Sequence, residues 1–171
     1  MRRWSLAVPV VLLAASALAL TACAGPDQEG TAAHRMEAWV SGTALGQSIG
    51  TLVADNARIA QVAPNGSGAL HGACGTIVSD AAAANSNLPS PDPTVTDLLT
   101  QAYGFEGVAG NDCYDGAGNA ALLTKAERDG IKADALYEEA LQRIRVVDGK
   151  APATTTTAGN TGNSGVGGIL G

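Results

Sequence analysis

Positive charge is scarce in this chain, with 10 Lys and Arg against 16 Asp and Glu in 171 residues. Between residues 23 and 124, only Arg35 and Arg58 stand against ten acids. Nucleic-acid binders neutralise phosphates with clustered Lys and Arg. No such stripe exists here, which excludes nucleic acid as a partner and electrostatic attraction to anionic lipid. Histidine is almost missing, since His34 and His71 are the two in the chain. That leaves little to build hydrolytic chemistry or a metal centre. Aromatic residues make up 4% of the chain, so an interior must be assembled from small and aliphatic side chains. Alanine and glycine, 33 and 22 residues, supply the small ones. The length fits one domain on the usual scale of ~100–200 residues.

The N-terminus reads as an export signal. Arg2 and Arg3 precede an apolar run from Leu6 to Leu20, broken only by Pro9 and Ser16. A charged start followed by a run too short to span a bilayer at ~20 residues is the pattern of a signal peptide. Leu20-Thr21-Ala22-Cys23 follows directly. This resembles the lipobox of bacterial lipoproteins, in which a Leu and two small residues precede an obligatory Cys. The resemblance implies that Cys23 receives a diacylglyceryl group on sulfur and becomes the new N-terminus, so that 1–22 is removed. Two buried acyl chains at ~0.8 kcal/mol per CH₂ hold stably, where one alone is marginal. The competing readings are ordinary cleavage after an A-x-A site and an uncleaved anchor. From Cys23 onward the chain carries 8 basic and 16 acidic residues.

With Cys23 given to lipid, Cys74 and Cys113 remain, and an even pair in an exported protein favours a disulfide. His71, three residues before Cys74, opens two rival readings, a metal site or a nucleophilic cysteine. Neither is completed by a second Cys or His pair.

Periodicity predicts an all-α protein, a small antiparallel bundle of about four helices over 34–148. A polar tether (23–33) precedes it and a disordered low-complexity tail (149–171) follows. The first helix is predicted from His34 to Ala63, with Val40, Leu45, Ile49, Leu52, Ile59 and Val62 inward and Pro64-Asn65-Gly66 as its stop. The second, Ser67–Asn85, shows Leu70, Cys74, Ile77, Val78 and Ala81. Leu88-Pro89-Ser90-Pro91-Asp92-Pro93 is stiff and extended, because each proline lacks a donor and restricts its predecessor. Asp92 before Pro93, or Thr94 with Asp97, caps a third helix that carries Val95, Leu98, Leu99, Ala102, Tyr103, Ala109 and Cys113. Gly104, Gly107 and Gly110 weaken it, or end it early. The fourth runs from Asn119 to Val147, with Glu139–Arg143 and Lys125–Asp129 as (i, i+4) pairs. The Thr154–Thr157 run beside Pro152 fits a bare flexible tail better than an O-glycosylated one.

Few constellations carry chemistry. Gly42, Gly46 and Gly50 repeat at i, i+4 and i+8, a spacing that lets another backbone approach closely. Packing inside the bundle is the expected use, with a docking stripe for a partner helix as the alternative. Asn111–Asn119 has the outline of a calcium loop but offers Cys113 and Leu122 at ligand positions, so it reads as a polar turn. Its glycines follow no strand, and no phosphate loop is implied. Residues 36–147 also resemble small helical lipoproteins of high-GC, actinobacterial type. The resemblance rests on the Ala/Gly-rich helices, one Cys in each of two of them, the Leu-Pro-Ser-Pro-Asp connection and Ala102-Tyr103. It implies no activity. The expected function is a non-enzymatic envelope lipoprotein without cofactor or metal, anchored through Cys23 and binding an envelope protein or cell-wall component. A carrier of an apolar small molecule or lipid, held between the helices, is the alternative.

Overall fold

The computed structural model describes residues 30–150. The expected signal peptide with Cys23, most of the expected tether and the tail after Lys150 lie outside the described residues. Within the described residues five α-helices follow in order: α1 (Ala32–Gly42), α2 (Leu45–Val62), α3 (Ser67–Asn85), α4 (Pro93–Asp115) and α5 (Ala120–Val147). Among the described residues there is no strand, and no helix is long and apolar enough to cross a membrane. Helix α4 packs lengthwise against α5 on one side and α3 on the other, and α2 lies along α3.

The expected first helix is two. Gly42 closes α1, and Ala44 adopts φ 49° and ψ 40°, the left-handed region, before α2 begins. A β-carbon in that region costs ~1–2 kcal/mol. The bend lets Met36 from α1 and Leu45, Ile49 and Leu52 from α2 enter one core. Fully burying one such side chain is worth about 1.5–3 kcal/mol, so tertiary packing outweighs the local strain. Helix α1 starts inside the expected tether, because Thr31 caps it by accepting from the His34 amide at 3.2 Å. Its Trp39 indole donates to the Asn87 carbonyl at 3.1 Å, which ties α1 to the α3–α4 connection.

The other helices start and stop where their caps and prolines place them. Asp92 accepts from the Val95 amide at 3.0 Å with Pro93 in the first turn, and Asn119 accepts from Ala121 and Leu122. Arg143 does not pair with Glu139 as expected. Its guanidinium reaches across to the Asp92 carboxylate, at 2.6 Å from Nη2 and 3.2 Å from Nε. A carboxylate already fixed as a helix cap offers a planar guanidinium a two-point partner, which a mobile Glu one turn away does not. That pairing holds the Asp92 carboxyl below the usual carboxylate range. Lys125 meets Asp129 at 3.5 Å, the expected pair, and also binds Asp112.

Candidate functional site

Cys74 and Cys113 form a disulfide, with Cα atoms 5.7 Å apart and both residues wholly buried. Their thiols are consumed, which removes the nucleophile reading of His71 and Cys74. Cys74 lies 11 residues before the end of α3 and Cys113 lies 20 after the start of α4. At 1.5 Å per residue that mismatch is roughly 13 Å. An early end of α4 does not absorb it, since the helix runs unbroken through Gly104, Gly107 and Gly110 to Asp115. Instead α4 begins well beyond the end of α3, and residues 86–92 span the offset. Gly110 has a part in the closure. A β-carbon there would lie 2.6 Å from Val78 Cγ2 and 3.0 Å from the Cys74 carbonyl, so only glycine lets the two helices come together. Next to the bridge, His71 stacks on the half-exposed Tyr114 with ring centroids 4.2 Å apart.

The glycine stripe is not packed inside the bundle, as the spacing led one to expect. Gly42, Gly46 and Gly50 are all exposed, and β-carbons at 42 and 50 would meet nothing within 4 Å. Nor is it one stripe, because Gly42 ends α1 while Gly46 and Gly50 belong to α2. Met36, Leu45, Ile49 and Leu52 take the inward positions and turn the glycines to solvent.

A polar cluster that periodicity missed lies inside the core. Glu106 on α4 is fully buried, and the side-chain amide of Asn56 on α2 donates to both its carboxyl oxygens at 2.9 and 3.0 Å. Gly130 on α5 makes room for that amide, since a β-carbon there would lie 3.3 Å from its nitrogen. The Tyr137 hydroxyl on α5 faces the same carboxyl but has no hydrogen-bond partner, although the residue is 2% exposed. Asp134 Oδ1 and Asp55 Oδ2 are also buried without partners. Burial pushes the Glu106 carboxyl up to about 7, and Asp134 and Asp55 add to the rise while the Asn56 amide and the nearby Tyr137 hydroxyl oppose it. Burial likewise raises Asp55, with help from Asp80 on α3, and Asp134, with help from Glu138. The signal was present in the sequence. Glu106 continues the spacing of Leu99, Ala102, Tyr103, Ala109 and Cys113, an acid in the middle of an apolar stripe.

Two hollows open on the surface. One, about 240 Å³, lies between α2 and α3 and is lined by Gln47, Ser48, Thr51, Asp80 and Asn87. The other, about 390 Å³, lies between α3 and α4 over Val78, Ala81, Ala82, Tyr103, Gly104 and Gly107. β-Carbons at Gly104 and Gly107 would meet nothing within 4 Å, so these glycines leave the trough shallow and open.

No family model, curated protein or solved structure matches this chain.

The chemistry available follows from access. Among the described residues, Glu106 is the carboxyl with the largest shift, and it is sealed from solvent. Among the described residues, no group of three or more His, Cys, Asp or Glu side chains is arranged to hold a metal ion. What reaches the surface are the polar hollow between α2 and α3 and the apolar trough between α3 and α4.

Proposed function

We propose that the chain is a membrane-anchored envelope lipoprotein, held on the extracytoplasmic face by lipid on Cys23. Its helical domain serves as a non-enzymatic binding or structural module for an envelope protein or cell-wall component. The observation that carries this reading is the Cys74–Cys113 bridge. Stable disulfides belong to oxidising compartments outside the cytosol. The bridge uses two of the three cysteines and leaves Cys23, which sits where a lipobox requires it. Helix α1 begins nine residues after that cysteine, so the domain would stand close to the membrane. Catalysis is disfavoured by the burial of Glu106, the acid best tuned for proton transfer near neutrality.

Palmitate labelling in the native host tests the anchor. The wild type should incorporate label and Cys23→Ala should not; undiminished labelling of the variant refutes lipidation. Cross-linking in the intact envelope then identifies the partner. The trough between α3 and α4 favours the second reading, a carrier of an apolar small molecule or lipid. Native mass spectrometry of delipidated protein from its own host separates the two. A co-purifying lipid supports the carrier, and its absence supports the interaction module.

A further inference from the structure

Charged side chains are unevenly spread over the domain. Helix α5 carries ten of them, whereas α3 carries one, Asp80, in 19 residues. Asp80 lines the hollow on the α2 side. The rest of what α3 exposes is uncharged and small, with Gly68, Gly72, Gly75, Ser79 and Ala82 among it. Helix α4 continues this face. Its Glu106 is buried and its Asp112 is held by Lys125, which leaves Asp97 and Asp115 exposed near the two ends. Between them Thr100, Gly104, Val108 and Asn111 are exposed and uncharged. The Cys74–Cys113 bridge lies beneath and fixes the two helices to each other.

The same face carries a hole, a knob and an unpaired polar group. The hole is the trough of about 390 Å³, open because Gly104 and Gly107 add no side chain to it. The knob is Val108, 44% exposed, one turn beyond Gly104 and next to Gly107. Tyr114 is also half-exposed and stacks on His71 of α3 further along the face. Tyr103 lines the trough and is only 4% exposed, yet no hydrogen bond holds its hydroxyl among the described residues. That hydroxyl is not sealed as the Tyr137 hydroxyl is, so it opens on the trough. Small residues by themselves only permit a close approach. A nearly buried hydroxyl without a partner is what calls for an occupant.

We propose that the α3–α4 face is the contact between two copies of this chain, with Val108 of each copy seated in the trough of the other. A two-fold axis brings the same patch of both copies together, so the patch must be its own complement. Knob and hole lying side by side meet that condition. Asn85, on the rim of the trough, gives each copy an amide that can meet the Tyr103 hydroxyl of the other. Charge points the same way. From Cys23 onward 16 acids stand against 8 bases, so two copies repel, and this face brings the least of that charge together. Area sets the strength. Gly68 to Ala82 runs ~21 Å along α3, and two helices side by side are ~20 Å wide. That is roughly 400 Å² on each copy and ~800 Å² in all, under the ~1,200–2,000 Å² of a stable complex. The dimer is therefore a weak one that exchanges with monomer. It is a property of residues 30–150 and does not depend on the lipoprotein reading.

The test uses the disulfide-intact chain from residue 23 onward with Cys23→Ala, so that neither lipid nor a free thiol joins copies. Sedimentation and backbone amide NMR shifts are followed from ~10 µM to ~1 mM, the range of weak association. This parent chain should move from monomer towards dimer, with the shifts confined to Gly68–Ala82 and Thr100–Asn111. Salt should strengthen the dimer, because it screens the repulsion between two acidic copies and meets no ion pair across the face. Gly104→Glu fills the trough and sets like charges together across the axis, while exchanging glycine for a better helix former. It should remain monomeric at the highest concentration and melt no lower than the parent. Val108→Ala trims the knob and should weaken dimerisation at least about fivefold, whereas Ile131→Ser on α5 should leave it unchanged. A parent chain that stays monomeric throughout, or shifts that fall on α5 instead, overturns the proposal. So does a Gly104→Glu chain that dimerises like the parent, or a dimer that salt dissolves. If added oleate shifts the trough amides while the parent stays monomeric, the trough belongs to the carrier reading and the dimer is likewise overturned.

Discussion

Replacing Cys74 and Cys113 together by alanine removes the one covalent tie in the bundle while leaving its helices intact. The bridge closes a loop of 39 residues. In the chain-entropy model, a cross-link of that span restricts the unfolded chain by about 4 kcal/mol at room temperature. Unfolding entropy near 2.1 cal/mol/K per residue, taken over roughly 120 ordered residues, gives about 0.25 kcal/mol/K. The melting temperature should therefore fall by about 15 °C. Both sulfurs are fully buried, so the alanine variant also loses packing atoms. The reduced wild type keeps those atoms, and comparing it with the variant separates chain entropy from packing. Thermal unfolding followed by circular dichroism, with and without reductant, makes the measurement. The unfolded chain should also expand once the cross-link is gone, raising the urea m-value. A reduced wild type melting within about 5 °C of the oxidised form would refute the reasoning, because the loop closure would then contribute little. Free thiols on alkylation of unreduced protein would remove its premise altogether.

Three further substitutions test the backbone. Ala44→Gly relieves a left-handed β-carbon at some cost in unfolded-state entropy, so it should stabilise the domain by about 0.5–1 kcal/mol in urea titration; a loss of stability would mean that the bend is not strained. Gly110→Ala and Gly104→Ala form a contrasting pair within α4. At 110 the new β-carbon would collide with Val78 and the Cys74 carbonyl, and the fold should lose about 1–3 kcal/mol despite better helix propensity. At 104 there is open space, and the same change should gain up to about 1 kcal/mol. Equal effects at the two positions would show that the close approach of α3 and α4 is not what Gly110 provides.

The limits of α3 and α5, the Asp92 cap and the break at Leu88–Pro93 were legible in the sequence. They depend on 3.6-residue spacing, a capping side chain or a proline, all of which act within a few residues. The disulfide was legible by counting, since three cysteines with one expected to carry lipid leave only one pairing. Tertiary structure decided the rest. Spacing continues smoothly through Thr43 and Ala44, and only the gain from burying Met36 together with Leu45 explains a bend there. Spacing marks Glu106 as inward, yet the rise of its carboxyl, from burial with Asp134 and Asp55 nearby, is set only once the other helices arrive. Arg143 had a legal partner in Glu139 and took Asp92, 51 residues away in sequence, because that carboxylate was already fixed as a cap. Gly104 and Gly110 look alike along the chain and differ because α3 crosses one and leaves the other open. Helical periodicity states which residues share a face, while the distance and charge of what that face meets are set by the other helices.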